Sequence, residues 1–133
     1  MTKFALDSNV VIYNHAGNDP RKRSISRKYL RSNPVISSQV LSEYLNYMKN
    51  KYKAEKRKLI RTCARWLRRC IFQPVSRSTV ELASRLIDKY DFQLFDGIIV
   101  ASALEANCGV LYSEDMQHGQ VIEASLKIVN PYI

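Results

Sequence analysis

Glycine is scarce in this 133-residue chain, and the four present, Gly17, Gly97, Gly109 and Gly119, are scattered singly. Nucleotide-binding folds that cradle phosphates in a glycine-rich loop are thereby excluded. Cysteine is equally sparse. Cys63, Cys70 and Cys108 make an odd number without CxxC spacing, and His15 and His118 are the only histidines to join them, so a zinc site is not expected and the thiols read as reduced structural residues. No apolar run reaches membrane-spanning length, because "IIVASALEA" is followed by Asn107 and Gly109. The opening "MTKFALD" lacks the apolar stretch and small-residue cleavage site of a signal peptide, so a cytoplasmic location without membrane attachment is the expectation.

Acidic residues are also few, 12 against 21 Lys and Arg, for a net charge of +9. The imbalance is concentrated. Residues 1–71 carry 17 basic and 4 acidic side chains, whereas 72–133 carry 4 and 8. A cationic half of this kind suits a polyanion, and nucleic acid is the commonest one. Hydrophobic residues make up 46% of the chain, enough for one packed core, and the length suits a single domain over 1–133.

The hydrophobic pattern predicts short apolar strands separated by helices. "KFAL" reads as a strand and "SNVVIYNHA" as a short helix; "GNDPRKR" reads as a loop and "SISRKYLRS" as a basic helix. "PVIS" reads as a buried strand, with Ser37 or Ser38 capping a helix whose stripe is Val40, Leu41, Tyr44, Leu45 and Met48. From Glu55 to Ile71 an amphipathic helix is expected, with Leu59, Ile60, Cys63, Ala64, Leu67, Cys70 and Ile71 on its apolar face. Arg57, Arg61, Arg65 and Arg68 form a basic ridge on another face. "FQPV" suggests a third strand, Pro74 marking its start or a sheet edge. "STVE" has capping-box spacing for a helix to about Tyr90, and "LFDGIIVASALEA" reads as a buried helix stopped by Gly109. "VLYS" and "LKIV" are the closing strands around a polar loop, "EDMQHGQ". The expected architecture is a three-layer α/β/α domain around a parallel sheet of four or five strands.

Four carboxylates occupy the strand-end or helix-start side of that layout. Asp7 ends the first strand, Asp115 lies just past "VLY", Asp96 opens the buried helix, and Glu43 lies in the first turns after "PVIS". In open parallel sheets, sites form at the carboxyl ends of the strands. Each acid also has an ordinary explanation: Asp7 as a helix cap, Asp96 as a first-turn acid, Glu43 as a solvated side chain, Asp115 as a loop residue. If they converge, their mutual repulsion calls for a cation, and oxygen ligands select Mg2+ or Mn2+ over zinc. The basic ridge would then be a phosphate track. Tyr29, Tyr44, Tyr47 and Tyr52 offer rings for base stacking but equally for burial or a protein contact. Neither histidine sits at a spacing that ties it to the acids.

"FALDSNVVIY", the Glu43 helix, "FDGIIVASALEANCGVLYSEDMQHGQ" and "LKIVNPY" together resemble the PIN-domain ribonucleases, in particular toxins of VapBC type toxin–antitoxin pairs. The resemblance implies that Asp7, Glu43, Asp96 and Asp115 are the catalytic acids, with Asp7, Asp96 and Asp115 on Mg2+ or Mn2+. It further implies polar support from Asn9 and Ser113 in the same cleft, an RNA substrate, a cognate antitoxin and a homodimer. Where many relatives carry Ser or Thr three residues before the third acid, this chain has Gln93, and it has Gly97 where Ala is frequent. A non-catalytic RNA- or partner-binding module of the same fold is the alternative.

Overall fold

The computed structural model describes residues 2–133. Strand β1 (Phe4–Leu6) is buried along its whole length, as a strand covered by helices on both faces must be. It leads through Asp7 into helix α1 (Ser8–His15). Helix α2 (Pro20–Leu30) follows; then come β2 (Val35–Ser37), α3 (Ser38–Asn50), α4 (Lys56–Leu67) and β3 (Ile71–Gln73). The chain closes with α5 (Arg77–Tyr90), α6 (Leu94–Glu105), β4 (Val110–Tyr112), β5 (Val121–Ile122) and β6 (Leu126–Val129).

The six strands form one sheet in the order β3-β2-β1-β4-β6-β5. Every pairing is parallel except β5 with β6. The α/β expectation therefore holds, with six strands in place of four or five. Strand β5 escaped the sequence reading because two residues, Val121 and Ile122, carry no period of their own; their ladder to Leu126 and Lys127 creates the strand.

Several boundaries move for identifiable reasons. Helix α2 starts at Pro20 inside the predicted loop, because Asp19 caps it through the Arg21 and Lys22 N–H groups and proline suits the first helical position. Helix α4 ends at Leu67, so Cys70 and Ile71 leave the predicted apolar face; Ile71 instead donates its N–H to the Pro34 carbonyl as β3 begins. Ile60, assigned to the same face, is 54% exposed. Pro74 follows β3, which is the edge strand, and so sits where its missing N–H costs no ladder bond. Helix α5 is capped at Ser76, not Ser78, the Ser76 N–H donating to Thr79 Oγ1 at 2.9 Å. Asn107 rather than Gly109 stops α6: at φ 61° it closes a Schellman motif in which its N–H reaches the Leu104 carbonyl and the Cys108 N–H reaches Ala103.

The core runs through Leu6, Val10, Ile36, Tyr44, Leu86, Ile99 and Leu111, each no more than 2% exposed. Among the described residues no helix is long and apolar enough to cross a membrane, and all three cysteines are free thiols. Burial pushes each thiol up to about 11, which suits inert packing residues.

Gly97 allows α6 to lie close on α5. A Cβ there would stand 2.6 Å from Ile87 Cγ1 and 2.8 Å from its Cδ1. Gly97→Ala gains about 1 kcal/mol of helix propensity, yet forces Ile87 aside at a cost of about 1–3 kcal/mol. Urea denaturation should show a net loss of about 1 kcal/mol. In an Ile87→Ala background the same change should become neutral or stabilising, and a loss that persists there would place the clash elsewhere.

Candidate metal centre

Parallel pairing puts the carboxyl ends of β1 and β4 side by side, Leu6 opposite Tyr112, and the Asp7 N–H continues the ladder to the Tyr112 carbonyl at 2.9 Å. The connections from β1 lead to β2 on one side while β4 arrives on the other. This is the switch point at which an open sheet leaves a crevice. Asp7 and Ser113 are the residues immediately beyond the two strand ends.

Asp7 is only 3% exposed. Its Oδ1 accepts the Ser8 N–H at 2.7 Å, capping α1, and its Oδ2 accepts the Ser113 hydroxyl at 2.7 Å. Asp7 thus caps a helix with one oxygen and reaches the end of the neighbouring strand with the other. Asn9, the second residue of α1, donates from Nδ2 to Asp115 Oδ2 at 3.1 Å and to Asp7 Oδ2 at 3.4 Å, while its Oδ1 accepts the Glu114 N–H. Ser113, fully buried, also accepts the N–H groups of Asp115 and Met116 through its Oγ. One amide and one hydroxyl therefore set the spacing of Asp7 and Asp115.

Asp96 stands in the first turn of α6, behind Gln93, which forms no side-chain cap. Glu43 lies on α3 with its Oε2 accepting from Gln39 Nε2 at 3.1 Å. Both act on the crevice electrostatically. The Asp7 carboxyl rises from 3.8 to about 6, chiefly through burial, against the opposing Ser113 and Ser8 hydrogen bonds and with added repulsion from Asp96 and Glu43. Asp96 is also raised, by partial burial first and then by Glu43 and Asp115. The four acids are thus near enough to feel one another.

No Lys or Arg answers them. The groups acting on Asp7 and Asp96 include no cation, and among the described residues none of the four acids is in a salt bridge. Among the same residues no group of three or more His, Cys, Asp or Glu side chains stands in a geometry that would hold a metal ion, so the acids converge without closing into a ligand shell. The donor set itself suits a hard divalent cation: all oxygen, uncompensated, and partly desolvated. Leu94 and Phe95, in the predicted buried helix, are instead 63% and 54% exposed beside Asp96.

The PIN domain family matches residues 4–123. This chain belongs to the PIN domain family. Solved structures agree in fold. One chain of a toxin–antitoxin complex from Klebsiella pneumoniae is 22% identical, with a TM-score of 0.71 and 98% of each chain covered. VapC20 of Mycobacterium tuberculosis, described as a sarcin–ricin loop cleaving toxin, is 15% identical with a TM-score of 0.67, over 85% of this PIN domain and 90% of that chain. FitAcB from Neisseria gonorrhoeae is 15% identical with a TM-score of 0.71, over 97% and 98%. No protein of curated function matches this chain in sequence.

The ridge residues Arg57, Arg61, Arg65 and Arg68 are all exposed, the first three along α4 of the PIN domain and Arg68 at its C-cap. His118 belongs elsewhere, its Nδ1 accepting the Asn130 N–H at 2.9 Å. Of the tyrosines, Tyr44 is 1% exposed and Tyr29 packs on Phe4 and Tyr112. Glu114 was missed by sequence reasoning. It binds Lys22 and accepts the Tyr13 hydroxyl at 2.6 Å, tying α1 and α2 to the segment that carries Asp115. Its position next to Asp115 was the available signal.

Proposed function

We propose that this PIN domain is a divalent-metal-dependent endoribonuclease, with Asp7, Asp96 and Asp115 as metal ligands and Glu43 completing the site or positioning the attacking water. The observation that carries the reading is a buried carboxylate at the sheet's switch point, repelled by two neighbouring acids and paired with no cation. Mg2+ or Mn2+ bound there supplies charge neutralisation at a phosphodiester and eases deprotonation of water.

The chain's own residues supply the rest. Ser8, Ser113 and Asn9 hold the Asp7 carboxylate in one orientation. The Arg57, Arg61, Arg65 and Arg68 ridge grips the RNA backbone without reading sequence. In the hydrolytic step, water oxygen bonds to phosphorus, the bond to the 3′ oxygen breaks, and that oxygen leaves as a hydroxyl after taking a proton.

The similar folds found in toxin–antitoxin complexes support a toxin held in check by a cognate antitoxin; a homodimer acting in the cytoplasm completes the proposal. Purified protein should cleave RNA in Mg2+ or Mn2+ and stop in EDTA. Cleavage that survives the chelator would overturn the metal reading. The open spacing of the four acids favours a second reading, a non-catalytic RNA- or partner-binding module. That reading requires Asp7→Asn to leave both RNA affinity and biological effect intact.

A further inference from the structure

A second polar site lies away from the acids. Helix α1 starts at the crevice and runs about 10 Å before reaching Asn14 and His15. Trp66 and Arg69 just precede β3, so this region is at the amino ends of the strands. There Asn14, His15, Arg27, Arg31, Trp66 and Arg69 line a cavity of about 350 Å³. A recess of about 200 Å³ shares His15, Trp66 and Arg69 and adds Arg65.

Two features mark it as built for a ligand. The first is unspent hydrogen-bonding capacity. Asn14 Oδ1, His15 Nδ1 and Trp66 Nε1 are buried without a well-formed hydrogen bond, the only such side-chain atoms among the described residues. Asn14 Nδ2 is engaged with His15 Nε2 at 3.1 Å, which leaves Nδ1 as the proton-bearing nitrogen of a neutral ring. The Val11 carbonyl beside that ring and the Tyr44 hydroxyl beside the indole act as weak hydrogen-bond partners, but their geometry leaves the His15 and Trp66 donors poorly satisfied, and Asn14 Oδ1 has no partner at all. Buried polar groups ordinarily find partners, and three poorly satisfied ones around one cavity form a cluster. The second feature is charge, since Arg27, Arg31, Arg65 and Arg69 surround the opening and no acidic residue lines it.

We propose that this cavity binds one nucleotide of an RNA strand, its phosphate on the arginines and its base against Trp66 and His15. The two rings lie 6.0 Å apart at 35°, and both line the cavity. A nucleobase carries donors and acceptors together and can answer both Asn14 Oδ1 and the indole N–H. A carboxylate from an acidic peptide only accepts, and would leave Asn14 Oδ1 unpaired. Arg65 belongs to the α4 ridge and to the recess alike, so a strand following the ridge passes the cavity mouth. The strand assignment rests on the ribonuclease reading for the identity of its ligand; the pocket is separate from the acids.

Trp66 is the only tryptophan of the chain and lines this cavity. The protein is titrated in EDTA with a short single-stranded oligoribonucleotide, nucleoside 5′-monophosphates, inorganic polyphosphate and oligoglutamate, following Trp66 emission. The expected result is a saturable change with the oligoribonucleotide, weaker with monophosphates. Arg31→Ala/Arg69→Ala, at exposed positions that leave the core intact, should raise the dissociation constant about tenfold or more. The titration in EDTA needs neither bound metal nor cleavage, which separates failure of the pocket from failure of the nuclease. An unchanged emission, an unaffected arginine variant, or polyphosphate or oligoglutamate matching the oligoribonucleotide would overturn the proposal. Monophosphates binding as tightly as the strand would overturn the strand assignment in favour of a free nucleotide.

Discussion

Asp7→Asn is expected to abolish RNA cleavage while making the protein more stable in EDTA. The two effects share one cause. Loss of groups that merely support a metal ligand costs about 10–100-fold in affinity or activity, so loss of Asp7, the most buried of the proposed ligands, should cost at least about a hundredfold. The stability gain follows from the raised carboxyl. In the unfolded chain Asp7 releases its proton near 3.8, whereas in the folded protein it holds it to about 6. Between those values the folded state binds the extra proton, so stability falls as pH climbs through the window and stays lower above it. Full ionisation costs about 3 kcal/mol at neutral pH.

Asparagine keeps the shape and removes the charge. At pH 7.5 the variant should unfold at higher temperature in chelator, by an amount that shrinks towards pH 4. Mn2+ should stabilise the wild type and leave the variant unmoved. A destabilised variant, or one that Mn2+ protects equally, would show that Asp7 is a helix cap and no more. Such a trade between stability and activity belongs to sites where like charges are held together for a ligand's sake.

This strain was partly legible in the amino-acid order. Asp7 ends an apolar strand and opens a helix, and Asp96 opens another helix, so both were placed on the correct side of the sheet by local pattern alone. That β1 and β4 are neighbours, which joins Asp7 to Ser113 and Asp115, depends on pairing across more than a hundred residues. Helix ends moved wherever a cap competed with periodicity, as Asp19 did for α2 and Asn107 for α6. The cavity around Trp66 was illegible, because Asn14, Arg27 and Trp66 come from three helices and only packing brings them together. Glu114 was hidden likewise, its partners Tyr13 and Lys22 lying about ninety to a hundred residues away.

Ser113→Ala should be the most damaging change at a residue that is not itself a ligand. Its hydroxyl donates to Asp7 Oδ2 and accepts from the Asp115 and Met116 N–H groups at 3.3 and 3.2 Å, all within a fully buried side chain. Alanine leaves these groups short of partners, at a cost of about 1–3 kcal/mol per unsatisfied buried group. A loss of about 2 kcal/mol in urea denaturation is the expected outcome. The catalytic effect has a direction of its own. The Ser113 hydrogen bond holds the Asp7 carboxyl down against burial, so removing it raises that carboxyl further. On the proposed mechanism cleavage requires the ionised form as ligand, and the acidic limb of the pH–rate profile should therefore move to higher pH. Ser113→Thr keeps the hydroxyl and should restore that limb even where the added methyl lowers stability. A profile that stays in place while stability falls would reduce Ser113 to a packing residue and leave Asp7 oriented by Ser8 and Asn9 alone.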